Sequence, residues 1–153
     1  MTEPLKAVLL VGPPGAGKTT RARELCSRPG YRRWASLSTR TPRTGEVAGF
    51  DYLFVDDETF EVAHRNGLLL EEVKLPDGTR RGLPQPLATA HQEVLVAIVD
   101  AGAVAAVLAH FGRGEVGVVH LTASHRELAE RMHGRGDSDS EIAMRLAWGR
   151  SGH

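Results

Sequence analysis

A single cysteine, Cys26, stands in 153 residues, so no disulfide can close within the chain, and a reducing cytoplasm suits it. Excess charge is missing as well: 19 Lys and Arg balance 19 Asp and Glu. Bulk charge therefore recruits neither nucleic acid nor an anionic membrane surface, and any basic site has to be local. No apolar run approaches a membrane span, and the opening "MTEPLKAVLLVG" is too short and too poorly flanked for a signal peptide. Internal repeats and long low-complexity segments are also absent. These absences leave one ordinary domain, expected in the cytoplasm, with 41% hydrophobic residues and enough length to bury a core.

Three short apolar runs punctuate the chain. "KAVLLV" (6–11), "EVLVAIVD" (93–100) and "VGVVHLTA" (116–123) read as strands buried on both faces. Helical segments lie among them: "TTRARELCSR", with Cys26 as a small buried residue, "DDETFEVAHRNG" ending at Gly67, and alanine-rich "AGAVAAVLAHFG" stopped by Gly112. "SHRELAERMHGR" predicts a helix with Ser124 as N-cap and Glu127 at capping-box spacing. "EIAMRLAWGR" resumes helically after a polar interruption. Strands alternating with helices predict an α/β fold, a parallel sheet with helices on both faces. "RWASLS", "DYLFV" and "LLLEEVKL" read as further strands, the last followed by a "PDG" turn. The section from about Asp51 to Gly82 breaks the alternating rhythm and reads as an insertion forming a small strand-rich lobe.

Gly12-Pro13-Pro14-Gly15-Ala16-Gly17-Lys18-Thr19 matches the P-loop pattern in full, with a strand before it and a helix after. Glycines let main-chain amides converge on phosphate oxygens, and the helix start adds partial positive charge. The donor phosphates are thus assigned to Gly12, Gly15, Ala16, Gly17, Lys18, Thr19 and Thr20. Lys18 would reach the β and γ oxygens, and the Thr19 hydroxyl would bind Mg²⁺. Asp100, at the end of an apolar strand, stands where a carboxylate can orient that ion. Further on, "SLSTRTPRTGEVAGFDY" (36–52) sets Arg40 and Arg43 three apart around Pro42. Two guanidinium groups so placed can grip one anion, with Ser36, Ser38, Thr39 and Thr41 adding hydrogen bonds. After a P-loop, this suggests a second phosphate, that of an acceptor.

These segments together resemble the guanylate kinase family of nucleoside monophosphate kinases. "STRTPRTGEVAGFDYLFV" is similar to that family's TTRxPRxGExxGxDYxFV, "GLLLEE" to its glutamate strand, and "ERMHGRGDSDSEIAMRL" to its arginine-bearing lid. The resemblance implies ATP-dependent, Mg²⁺-assisted phosphorylation of GMP, dGMP or a modified analogue. It implies a single kinase domain with a core of about 1–35 and 84–153, an acceptor lobe of about 36–83 and a lid of about 131–145. By position, Ser36 and Glu71 would read the guanine, and Arg40, Arg43 and Tyr52 would hold the acceptor phosphate. Arg131, Arg135 and Arg145 would close over the donor. Lys18, Arg43, Arg135 and Arg145 would meet the transferring phosphoryl group, and Thr19 and Asp100 the metal.

Three departures qualify the match. Where the family has Tyr-Gly-[Ser/Thr], this chain has Arg81-Gly82-Leu83. Arg81 can still serve the acceptor phosphate, but Leu83 cannot hydrogen-bond a base. Where the family has Asp-x-Asp, Ile98-Val99-Asp100 keeps only the second acid, a loss that implies one acceptor-side contact fewer, with Asp100 still assigned to both the acceptor and the metal. The family also continues through a strand and a helix beyond the equivalent of "RLAWGRSGH", so the sequence reads as a short member. An uncovered edge near Val118 then suggests a homodimer. Two other readings remain open: a ribose bisphosphate phosphokinase, against which Ser36 and Glu71 speak, and a guanylate-kinase-like binding module without turnover, against which the intact P-loop speaks.

Overall fold

The computed structural model describes residues 4–86 and 93–122, then residues 130, 133, 134, 136, 138–140 and 143. The helix expected from Ser124, most of the lid, and Arg131, Arg135 and Arg145 lie outside the described residues.

β1 (Ala7–Val11) is five consecutive buried apolar residues. Alternate side chains of a strand leave on opposite faces, so such a run needs cover on both. Ala7, Leu9 and Val11 join one core cluster, and Val8 and Leu10 join another. α1 (Lys18–Cys26) covers the Val8 side with Ala22 and Leu25, and Cys26, expected to be buried, packs there only half-buried at the helix end. α3 (Ala101–Phe111) covers the Leu9 side with Ala103 and Val107. β1 lies between β7 (Val94–Ile98) and β8 (Val116–His120), with β2 (Tyr31–Arg33) beyond β7, and every pairing is parallel. The expected doubly covered parallel sheet is therefore present. Among the described residues, no helix is long and apolar enough to cross a membrane.

A second four-stranded sheet runs β4 (Leu53–Phe54), β3 (Leu37–Ser38), β6 (Arg80–Pro84), β5 (Leu69–Lys74). It begins at Leu37, well before the expected insertion point at Asp51. "RWASLS" is likewise two strands rather than one: Tyr31–Arg33 ends in the first sheet, and Leu37–Ser38 opens the second. The reason is Trp34, whose side chain turns into the main core edge-on to Phe111, with ring centroids 6.0 Å apart. Its Nε1 donates to Pro84 O at 3.0 Å, so the chain crosses between sheets where it also returns. "DYLFV" contributes only Leu53 and Phe54.

α2 (Asp57–Arg65) covers the outer face of this sheet. Asp56 Oδ1 caps it by accepting from Thr59 N at 2.8 Å, and the chain leaves through Gly67 with φ of 67°. Fully buried Phe60 packs with Leu37, Ala63, Val55 and Leu69. Burial of that ring stabilises the lobe by about 2–3 kcal/mol. Gly82 of β6 lies directly over it, where a Cβ would come within 2.9 Å of Leu69 Cδ1 and 3.1 Å of Phe60 Cζ.

Candidate active site

Between β1 and α1 the P-loop turns through Gly15 and Gly17, with φ of 80° and 94°, conformations that glycine adopts without steric cost. Gly17 caps α1 without a side-chain bond, and the first turn carries no acidic residue. The amides and partial positive charge of the helix start are thus left for an anion. Lys18 Nζ arches over the loop to donate to Gly12 O at 2.5 Å, while Thr19 and Thr20 are exposed on the first turn. Gly12 is required for a different reason. A Cβ there would fall 2.3 Å from Leu121 O, just past β8. Gly12→Ala is accordingly expected to lower unfolding free energy by about 1–3 kcal/mol, measured by denaturant titration.

Register decides which side chains of the second sheet share a face. Glu71 lies opposite Leu83, Val73 opposite Arg81, and Arg81 opposite Ser38, whose other neighbour is Phe54. Glu71, Leu83, Arg81 and Phe54 therefore project to the face away from α2, toward the main sheet. Arg81 spans the gap: its guanidinium pairs with the Asp100 carboxylate at the end of β7 and hydrogen-bonds the Tyr52 hydroxyl. Burial alone would lower the Arg81 pKa, but Tyr52 and Asp100 raise it well above the ordinary arginine value. At Tyr52, burial would raise the phenol, and Arg81, Lys18 and Arg40 outweigh it to push the pKa down. Glu71 goes the other way: burial first, then Asp100, lift its carboxyl above the usual range, with Arg81 opposing and Glu72 adding.

Arg40 leaves β3 with its guanidinium 5.2 Å from the Tyr52 ring centroid and 5.7 Å from that of Phe54. Glu46 holds it in a two-pronged ion pair, with Nη1–Oε1 at 2.8 Å and Nη2–Oε2 at 2.9 Å. The same carboxylate accepts from Arg43 N at 2.6 Å and so shapes the turn that carries Arg43. Sequence reasoning gave Glu46 no task, although its place three residues after Arg43 is that of a turn-closing acid. Ser38 and Thr39, read as phosphate ligands, are engaged with the main chain. Ser38 Oγ accepts from Arg40 N at 3.2 Å, and Thr39 Oγ1 accepts from Arg80 N at 2.9 Å. Ser36 is buried, and its carbonyl accepts from Leu53 N at 2.8 Å.

Tyr52, Arg81, Glu71 and Arg40 thus come from one lobe, Lys18 from the first position of α1, and Asp100 from the turn between β7 and α3. Asp100 is the N-cap residue of α3, yet its carboxylate makes no capping bond and turns to Arg81.

A family model described as an AAA domain matches residues 8–147. A guanylate kinase of Bradyrhizobium diazoefficiens is 41% identical over 145 residues, 91% of this chain and 65% of that protein. One from Trichormus variabilis is 34% identical over 147 residues, covering 92% of this chain and 72% of its own length. The chain belongs to the guanylate kinase family. It spans about two thirds of the length of these curated relatives. The crystal structure of guanylate kinase from Anaplasma phagocytophilum overlays with a TM-score of 0.65 at 21% identity, covering 99% of this chain and 76% of that one, a likeness of fold.

Of the three residues that depart from the family's motif, Arg81 faces Tyr52 and Asp100, and the other two are apolar and packed. Leu83 is 1% exposed in the main core with Trp34 and Val107, and Ile98 packs beside Val8 and Val96.

Proposed function

We propose that the chain transfers the γ-phosphoryl group of ATP to a purine nucleoside monophosphate, GMP, dGMP or a base-modified relative. The observation that carries this reading is the inner face of the second sheet. It presents a carboxylate, Glu71, beside a cationic cluster of Arg81 and Arg40 around Tyr52, opposite the P-loop lysine. A carboxylate can accept from guanine N1–H and the exocyclic amine together, donors that adenine does not arrange in that way. The arginines supply paired donors to a phosphate. Leu83 offers no hydrogen bond, so base selection rests on Ser36 and Glu71.

In this reading the P-loop amides and Lys18 hold the β and γ phosphates, and Arg40, Arg43 and Tyr52 bring the acceptor oxygen into line. That oxygen is already anionic, so no general base is needed, and catalysis is positioning and charge neutralisation. Arg81 shifts from Asp100 toward the incoming acceptor phosphate. Arg135 and Arg145 then close over the donor and exclude water. The Thr19 hydroxyl and the Asp100 carboxylate are hard oxygen donors of the kind Mg²⁺ uses together with substrate phosphates. When bound, that ion would supply charge neutralisation along the donor phosphates. The cytoplasm is the expected compartment, and a homodimer paired along the β8 edge the expected assembly.

An acceptor panel of ribo, deoxy and base-modified monophosphates with ATP and Mg²⁺, read by ADP release, tests the proposal. Turnover confined to guanine-type acceptors is expected. ADP release at background level for every member would refute it.

A further inference from the structure

An arginine closing a short strand reads as a surface charge, but the guanidinium of Arg33, at the end of β2, turns inward. Its Nη1 donates to Trp34 O at 2.6 Å and to Val96 O at 2.9 Å, and its Nη2 donates to Asp51 O at 3.3 Å. The group lies 5.8 Å from the Phe50 ring centroid, and its Nε is buried without a hydrogen-bond partner. Burying a cation on neutral carbonyls with one N–H unmet is unfavourable, and an apolar side chain of similar volume would fill the space more cheaply. Packing therefore does not account for it.

What an apolar side chain could not do is join those three carbonyls. Trp34 O and Val96 O belong to the main sheet and its exit, whereas Asp51 O belongs to the segment that leads into Tyr52. Asp51 is itself 5% exposed. Its Oδ2 accepts from Val47 N at 2.6 Å and stands 3.6 Å from Arg23 Nη2 on α1. Residues 47–51 are thus tied to the main sheet through Arg33 and to α1 through Arg23. The next residue, Tyr52, carries Arg40 over its ring and Arg81 on its hydroxyl.

We infer that Arg33 is a positioning residue: by bridging Val96 O and Asp51 O it sets where Tyr52 stands and, through Tyr52, the acceptor grip of Arg40 and Arg81. The consequence for turnover rests on the function proposed above, but the placement of Tyr52 can be tested without any substrate.

The chain holds two tyrosines, so in a Tyr31→Phe background only Tyr52 titrates. Its phenol is held below the ordinary value because Arg81, Lys18 and Arg40 outweigh burial. Arg33→Met and Arg33→Lys are made in the full chain, and tyrosinate absorbance is followed against pH. Both variants are expected to titrate at higher pH than the parent. Lysine keeps the charge but cannot span three carbonyls, so a shift common to both reports displacement of Tyr52. A shift in the methionine variant alone reports lost charge and overturns the inference, as does no shift in either. Should the methionine variant not fold, the lysine variant decides. In turnover, KM for the acceptor is expected to rise about tenfold with KM for ATP within about twofold of the parent. Equal rises in both constants, or an unchanged acceptor KM, also overturn it. If the parent phosphorylates no monophosphate, the functional proposal falls while the titration still decides the placement.

Discussion

Replacing Lys18 with alanine is expected to lower kcat about 10³-fold, a loss of about 4 kcal/mol of transition-state stabilisation. The lysine stands at the mouth of the P-loop, where a developing phosphoryl charge would meet it, and its ammonium already lies over the loop at Gly12 O. Its electrostatic reach extends to Tyr52 in the other lobe, so it faces the space in which donor and acceptor would meet. Structural damage should be small, because the hydrogen bond from its ammonium to Gly12 O is worth about 1 kcal/mol. Thermal melting checks that the variant folds, and single-turnover kinetics with saturating ATP isolate the chemical step. A kcat within about tenfold of the parent would remove Lys18 from the mechanism.

The second large effect is expected at Glu71. In the proposed reading, Glu71→Gln exchanges one of two acceptor oxygens for an amide NH₂ that would confront a guanine N–H donor. Losing one charge-assisted hydrogen bond and leaving its partner unmet is worth about 3–4 kcal/mol, so kcat/KM for GMP should fall about 10²–10³-fold. Turnover of AMP should change far less, and the ratio of the two is the measurement. A pH profile adds an independent check. The Glu71 carboxyl is raised above the ordinary range by burial and by Asp100, so protonation begins at higher pH than for an exposed glutamate. As pH falls through that range the carboxylate is lost and acceptor KM should climb, a limb the glutamine variant lacks. The sign excludes unfolding at this residue as the cause. A raised carboxyl favours the folded state below its unfolded pKa and loses that contribution as pH rises through the folded value. A parent profile flat down to the ordinary carboxylate range would contradict the assignment.

How far the chain could be read before its structure depended on how local the signal was. The buried run at Ala7–Val11, the glycines at 15 and 17 and the capped helix after Asp56 follow from local sterics and burial, and the structure has them as expected. β6 was missed because "RRGLP" carries a glycine and a proline, which single-strand propensity disfavours. Its strand character comes from pairing with β3 on one side and β5 on the other. Clustering at the site was legible only in part. Arg40 stood out by its spacing from Arg43, Tyr52 and Glu71 through motif resemblance, and Arg81 as a departure from that motif. Glu46 and Arg33 act through neighbours distant in sequence or hidden by folding, and nothing in a row of letters distinguishes an inward arginine from a solvated one. Arg135 and Arg145 fall outside the described residues.

Leu83 belongs to two structures at once. Its main-chain atoms are part of the acceptor sheet, opposite Glu71, while its side chain completes the main core beside Trp34 and Val107. Truncating a leucine so completely enclosed costs about 2–5 kcal/mol, a large share of a small domain's total stability. Drift toward a hydroxyl at this position would therefore have to be accompanied by repacking around Trp34. With Glu71 reading the base as proposed, mutational routes to a new base preference would be unequal: open at half-buried Glu71 and blocked at position 83, so the fold itself would bias which specificities its descendants can reach.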